Sequence, residues 1–237
     1  MRDVLLFGFH AISFVLFAFA VYYDFMYTIV PTKVARVYNS YGGKFKFLTF
    51  WDAIIQAVFF FICLLNDFYG SNKVNLKKRP LIRKIKDYIH ATFSFPIAMF
   101  VGITFWALMF VDRELVLPKA LDPYFPWWLN HMMHTMIMVT TLLETIICPR
   151  QYPKRGNGLA GLSVLMLAYL VWMHVIHAKS GIWVYPVMEV LTFPLRVAFF
   201  AVLFVFVTIL YFAGESLDNL IWGNAQLKQH KSYSKIK

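Results

Sequence analysis

The sequence predicts an all-α polytopic membrane protein: one bundle of six transmembrane helices that takes up the whole chain, residues 1–237, with both termini in the cytosol. Three observations predict it. Long apolar runs follow one another with only short polar connections between them. Charged residues make up 15% of the chain, where soluble domains carry about 25%. The lysines and arginines favour alternate connections over the others.

An apolar run of about 18 residues or more with few charges reads as a helix that crosses a bilayer. The runs are Val4–Tyr23, Phe45–Leu65, Tyr88–Val111, Trp127–Cys148, Leu159–His177 and Phe193–Ala213. Ahead of the first lies Arg2, and Ala18-Phe19-Ala20 imitates a signal-peptide cleavage site. Its apolar stretch is longer than a signal core and its charged region is a single Arg, so it is expected to stay as a span. The third contains Pro96, which should kink it, with neighbouring helices satisfying the freed carbonyl. Pro194 opens the sixth, where proline is tolerated.

Orientation follows from the basic residues. One side holds Arg2, then Lys73, Lys77, Lys78, Arg79, Arg83, Lys84 and Lys86, then Arg150, Lys154 and Arg155, then Lys228, Lys231, Lys235 and Lys237. The other holds Lys33, Arg36, Lys44, Lys46, Arg113, Lys119, Lys179 and Arg196. The richer side is cytosolic. The segment Leu76–Lys86 is expected to be a solvated loop against anionic lipid. Trp127, Trp128, Trp183 and Tyr185 fall at the outer ends of spans, as aromatic belt residues do. The net charge of +11 then serves topology and lipid contact, and no nucleic-acid partner is expected. Cys63 and Cys148 lie within apolar sequence and read as small buried hydrophobes with no disulfide framework. There is no Asn-x-Ser/Thr sequon, internal repeat or Gly-rich phosphate loop.

Polar side chains within spans are costly, about 2.5–3.5 kcal/mol for a central charge on insertion scales, and by default mark functional sites. The second span carries Thr49, Asp52 and Gln56, spaced to share one helical face. The fourth carries Asn130, His131, His134, Thr135, Thr141, Glu144 and Thr145. Its Asn130, His131 and His134 form one stripe. Thr49 is roughly one turn from the outer end of its span and His134 roughly two turns from its own, so they share a depth. His174 and His177 could join that layer from the fifth span, whereas His90 lies on the cytosolic side.

A threonine hydroxyl becomes a nucleophile when a neutral imidazole can take its proton, and an imidazole with a pKa of about 6.5 suits that work. Thr49 with His134 is therefore a possible acyl-transfer dyad for an ester held near the interface with its chain in the bundle. Other readings stand beside it. Thr49 can instead bond the carbonyl one turn back. The polar stripes can simply glue helices in a non-enzymatic scaffold or regulator. His131 or His134 opposite His174 or His177 can hold a b-type haem or, less well, a metal. Asp52 and Glu144 either orient a histidine or sit as neutral acids.

One string, Trp128-Leu129-Asn130-His131-Met132-Met133-His134-Thr135, resembles the signature of the androgen-induced protein family, which includes the androgen-dependent regulators of tissue factor pathway inhibitor. Further matches are Tyr41-Gly42-Gly43, Lys46-Phe47-Leu48-Thr49, Asp112-Arg113-Glu114, Pro118-Lys119-Ala120-Leu121-Asp122, Tyr152-Pro153, Gly158-Leu159, Gly181-Ile182-Trp183-Val184-Tyr185-Pro186 and Gly214-Glu215. They run in order from about Tyr41 to Trp222. No motif of that family is recognised in the first span or in the basic tail after Trp222. The resemblance implies a multipass membrane hydrolase of fatty acid esters of hydroxy fatty acids that uses an intramembrane threonine and histidine. It places them at Thr49 and His134, and both are present. Asn130, His131 and Asp52 are the candidates for support of the histidine or the oxyanion. The expected partners are that lipid ester and membrane lipids, with no cofactor and no metal. The expected location is the plasma membrane or the endoplasmic reticulum.

Overall fold

The structure is a computed structural model that describes residues 2–74 and 78–234. Among these residues every regular element is helical. Helix α1 is Arg2–Tyr27, α2 is Leu48–Tyr69 and α3 is Leu81–Val111. Helix α4 joins Trp127–His131, a π segment Met132–Met136 and Ile137–Ile147. Helix α5 is Arg155–Ser180 and α6 is Phe193–Ser234, with a single turn at Val187–Val190 before it. Five of these helices, all but α4, are long and apolar enough to cross a membrane. The chain is thus an integral, multi-pass membrane protein. Closed helices are the form such runs take in lipid, because no water satisfies their backbone groups. Large apolar side chains on the outer faces agree with lipid contact, among them Phe110, Val164 and Leu220.

Helix α4, the fourth expected span, differs from the rest through its polar load. Its Asn130, His134, Thr140, Thr141, Glu144 and Thr145 are all buried. Three of its threonines bond back one turn: Thr140 to Met136 O and Thr141 to Ile137 O, both at 2.7 Å, and Thr145 to Thr141 O at 2.9 Å. That is how hydroxyls are satisfied within a helix.

The expected third span grows at its start. Residues 81–89 are helical and continue through a π segment, His90–Ser94, into Phe95–Val111. The π segment comes just before Pro96. Proline lacks an N–H and crowds the carbonyl one turn back, and a widened turn relieves both defects. The solvated loop expected at Leu76–Lys86 is corrected accordingly; Leu76 and Lys77 lie outside the described residues. Arg83 and Lys86 are buried, Arg83 paired with Asp87 at 2.8 Å and Lys86 with Glu144 at 2.8 Å. Of the tail, Lys235 and Lys237 also lie outside the described residues.

These pairs belong to a buried polar layer. His10 of α1 bonds Asp67 Oδ2 at 2.6 Å and Glu144 Oε2 at 3.0 Å. Arg150 pairs with Asp218 at 3.4 Å and donates to His90. The layer ties together α1, α2, α3, α4 and α6. Removing one member of such a pair strands a buried charge, at a cost of about 3–5 kcal/mol. His10, Glu144 and Cys148 place metal-capable atoms within 4.8 Å of one another. The Lys86 ammonium already stands between Glu144 (2.8 Å) and Cys148 Sγ (3.4 Å), so the layer is balanced by side chains of its own. Glu144 is therefore an ion-pair partner here, and the histidine that it meets is His10. Cys63 and Cys148 are buried free thiols.

Candidate active site

Asp67 and Thr49 lie 18 residues apart on α2, about 27 Å at about 1.5 Å per residue, so the polar layer and the Thr49 end are well separated. The approach to Thr49 is built locally. Gly42 and Gly43 take positive φ, 92° and 53°, and turn the chain into a 3-10 segment, Gly43–Lys46. Phe47 is extended, and α2 begins at Leu48 rather than at the expected Phe45. Thr49 is thus the second residue of its helix.

The carbonyl one turn before Thr49 is that of Phe45. It accepts from the indoles of Trp51 at 2.7 Å and Trp172 at 2.9 Å. The Thr49 hydroxyl bonds instead to His134, with Oγ1 3.3 Å from Nε2. The other ring nitrogen, Nδ1, lies 3.0 Å from the Asn130 main-chain oxygen. A carbonyl only accepts, so Nδ1 carries the hydrogen and the Nε2 lone pair faces Thr49. The ring of His134 stacks on Phe105, with centroids 3.6 Å apart and planes 15° from parallel. His134 sits on the π segment Met132–Met136, a local widening that often marks functional positions.

Thr49 and His134 line one cavity of about 680 Å³. Its walls are mostly apolar, including Phe100, Leu108, Leu203 and Phe204, and its polar members include Tyr185, Tyr38 and the Lys44–Asp24 pair (2.9 Å). That volume and lining suit a long apolar chain with one reactive polar group.

The other sequence candidates fall in different places. Asn130 supports His134 through its carbonyl, and its buried side-chain amide has no hydrogen-bond partner among the described residues. His131 bonds Thr135 Oγ1 at 3.0 Å and packs between Trp106 and Trp127, away from Thr49. Asp52 is buried and accepts from Gln56 Nε2 at 2.7 Å. Gln56 also takes the Ser94 hydroxyl at 2.6 Å, so this acid belongs to an α2–α3 contact. His174 donates to Leu170 O at 2.8 Å, and His177 stacks on Trp183 at 4.0 Å. Neither joins the layer of His134, and the facing histidines that a haem would need are not assembled.

Two belt assignments are also corrected. Trp127 and Trp128 are exposed as expected. Trp183 is buried, with Arg196 over its ring at 4.7 Å. The Tyr185 hydroxyl lies 3.3 Å from Leu48 N and 3.1 Å from the Tyr169 hydroxyl. Tyr169 and buried Lys46 are the site residues that the sequence reading passed over. The Lys46 ammonium donates to Val37 O, to Ser40 Oγ at 2.9 Å and to Ser40 O at 3.2 Å, which anchors the turn before α2. The sequence signal for it was a lysine at the second position of the expected apolar span Phe45–Leu65.

The FAR-17a/AIG1-like protein family matches this chain over residues 5–219. Human androgen-induced gene 1 protein is 36% identical over 207 residues, covering 84% of this chain and 87% of its own. The androgen-dependent TFPI-regulating protein of Mesocricetus auratus is 39% identical over 183 residues, 77% of this chain and 78% of its own. The human protein of that name is 33% identical over 190 residues, 80% and 82%. No solved structure matches.

Proposed function

The chain belongs to the FAR-17a/AIG1-like family, and from that premise we propose that it is an intramembrane threonine hydrolase that cleaves fatty acid esters of hydroxy fatty acids. The observation that carries the reading is the Thr49–His134 pair: a hydroxyl 3.3 Å from an imidazole nitrogen whose lone pair is aimed at it, on the wall of an apolar cavity.

The steps follow from that geometry. The acyl chain occupies the apolar cavity and brings the ester carbonyl to Thr49. Oγ1 bonds to the carbonyl carbon as its proton passes to His134 Nε2. The carbonyl π electrons move to oxygen. When they return, the bond to the ester oxygen breaks, and the imidazolium protonates the departing hydroxy fatty acid. Water then attacks the acyl-threonine, gives its proton to His134 and releases the fatty acid, with the proton returned to Thr49. Throughout, the Asn130 carbonyl holds Nδ1–H and stabilises the charged ring. Phe105 keeps the ring from turning.

The test is hydrolysis of such an ester by membranes that carry the protein in a host lacking the activity. Wild type should hydrolyse it, and Thr49→Ala and His134→Ala at matched levels should not. An inactive wild type, or variants as active as wild type, would leave a scaffold as the better account.

A further inference from the structure

Helix α2 starts without a cap of its own. Its N-cap is Phe47, which offers no side-chain acceptor. The first helical N–H, that of Leu48, is received by two phenols, Tyr169 at 3.1 Å and Tyr185 at 3.3 Å. Each phenol has one proton. Tyr169 donates its proton to the Lys46 carbonyl at 2.9 Å. In the contact between the two hydroxyls, at 3.1 Å, Tyr185 is then the donor and Tyr169 the acceptor. The Tyr185 proton is thus the one in the group not given to a carbonyl. Tyr185 also lines the cavity with Thr49 and His134.

We propose that Tyr185 is a catalytic residue, which turns its O–H from Tyr169 to the ester carbonyl oxygen as Thr49 attacks. This rests on the hydrolase reading above. Two features of the site favour it. A hydrogen bond to an oxyanion is roughly twice as strong as one between neutral groups, so the exchange of acceptor becomes favourable only as negative charge develops. Thr49 is the second residue of α2, so the positive end of that helix lies beside the attacking oxygen, and the Thr49 N–H lies at a position where a helix supplies no acceptor. Burial pushes the Tyr185 hydroxyl above its ordinary pKa, so it stays protonated and able to donate. Tyr185 gives up no proton, and the proton that moves is the one that passes from Thr49 to His134: the carbonyl π bond opens, the oxygen takes the charge under the Tyr185 hydrogen bond, and the charge leaves when the carbonyl re-forms. Tyr169 has the positioning role, holding the Tyr185 oxygen and the first turn of α2.

The experiment compares wild type, Thr49→Ala and Tyr185→Phe on two readouts: hydrolysis of the ester, and binding of an ether analogue in which a methylene replaces the carbonyl. The analogue fills the cavity but develops no oxyanion. For Tyr185→Phe the expected result is a fall in kcat of about 100–1,000-fold with KM and analogue affinity unchanged. A kcat within about threefold of wild type would overturn the proposal. So would equal losses in turnover and analogue binding, because Tyr185 would then only shape the cavity. The underlying reading fails separately, when wild type is inactive or Thr49→Ala is active.

Discussion

A Cβ on Gly102 of α3 would lie 2.7 Å from the main-chain oxygen of His134 on α4. Real side chains do not approach that closely, so the absence of a side chain at Gly102 lets the two helix backbones meet at the level of the histidine. Gly102→Ala should push α4 outward and move the imidazole from Thr49. A displacement on the order of 1 Å can cost about 100-fold in rate. The expected outcome is a fall in kcat of at least about 10-fold, while the protein still folds in detergent. Turnover and thermal unfolding of the purified variant check it, and unchanged turnover would mean that the helix contact does not set the dyad.

Asp52 shares the face of α2 that carries Thr49, yet its hydrogen bond is to Gln56 at 2.7 Å. Asp52→Asn keeps an acceptor for Gln56 and removes only the acidic group. Its kcat should stay within about threefold of wild type, since small local changes of this kind are worth under about 1 kcal/mol. A loss comparable with that of His134→Ala would place Asp52 in a proton relay.

The Lys46 ammonium is lowered from its ordinary pKa to about 8, first by burial and then by the neighbouring charge of Lys44. The unfolded chain therefore holds this proton more tightly than the folded one. The penalty is full below about pH 8 and fades as pH rises toward the ordinary value of 10.5, so this residue's contribution to stability improves across that window. Unfolding of wild type and Lys46→Met in detergent should diverge in slope over that range, with the extra rise present only in wild type. Parallel curves would show that Lys46 keeps an ordinary pKa. Lys46→Met should also lower turnover, because it removes the ammonium that ties Val37 O and both Ser40 oxygens to the turn ahead of Thr49.

What the sequence made legible is what repeats along a helix. Apolar runs located the spans, and rise per residue put Thr49 and His134 at one depth, where the fold brings them together. The face shared by Asp52 and Gln56 also followed from spacing, and they are bonded. What failed depends on contacts between distant elements. His10, Glu144 and Lys86 meet from α1, α4 and α3, and nothing in the local pattern around Lys86 separates a buried ammonium from a solvated one. Tyr185 stands where belt aromatics stand, and only the position of Leu48, 137 residues earlier, gives its hydroxyl another purpose. The start of α2 slipped from Phe45 to Leu48 because two glycines with positive φ shape a turn that apolar composition does not reveal.

The central claim is that Thr49 carries the acyl group between two half-reactions. The most direct measurement is to mix the protein with an isotopically labelled ester, stop the reaction in acid within one turnover and weigh the peptides. The account predicts the acyl mass on the peptide that contains Thr49 in wild type, and its absence in Thr49→Ala and His134→Ala. An acyl group found on another residue, or hydrolysis that persists in Thr49→Ala, would contradict it.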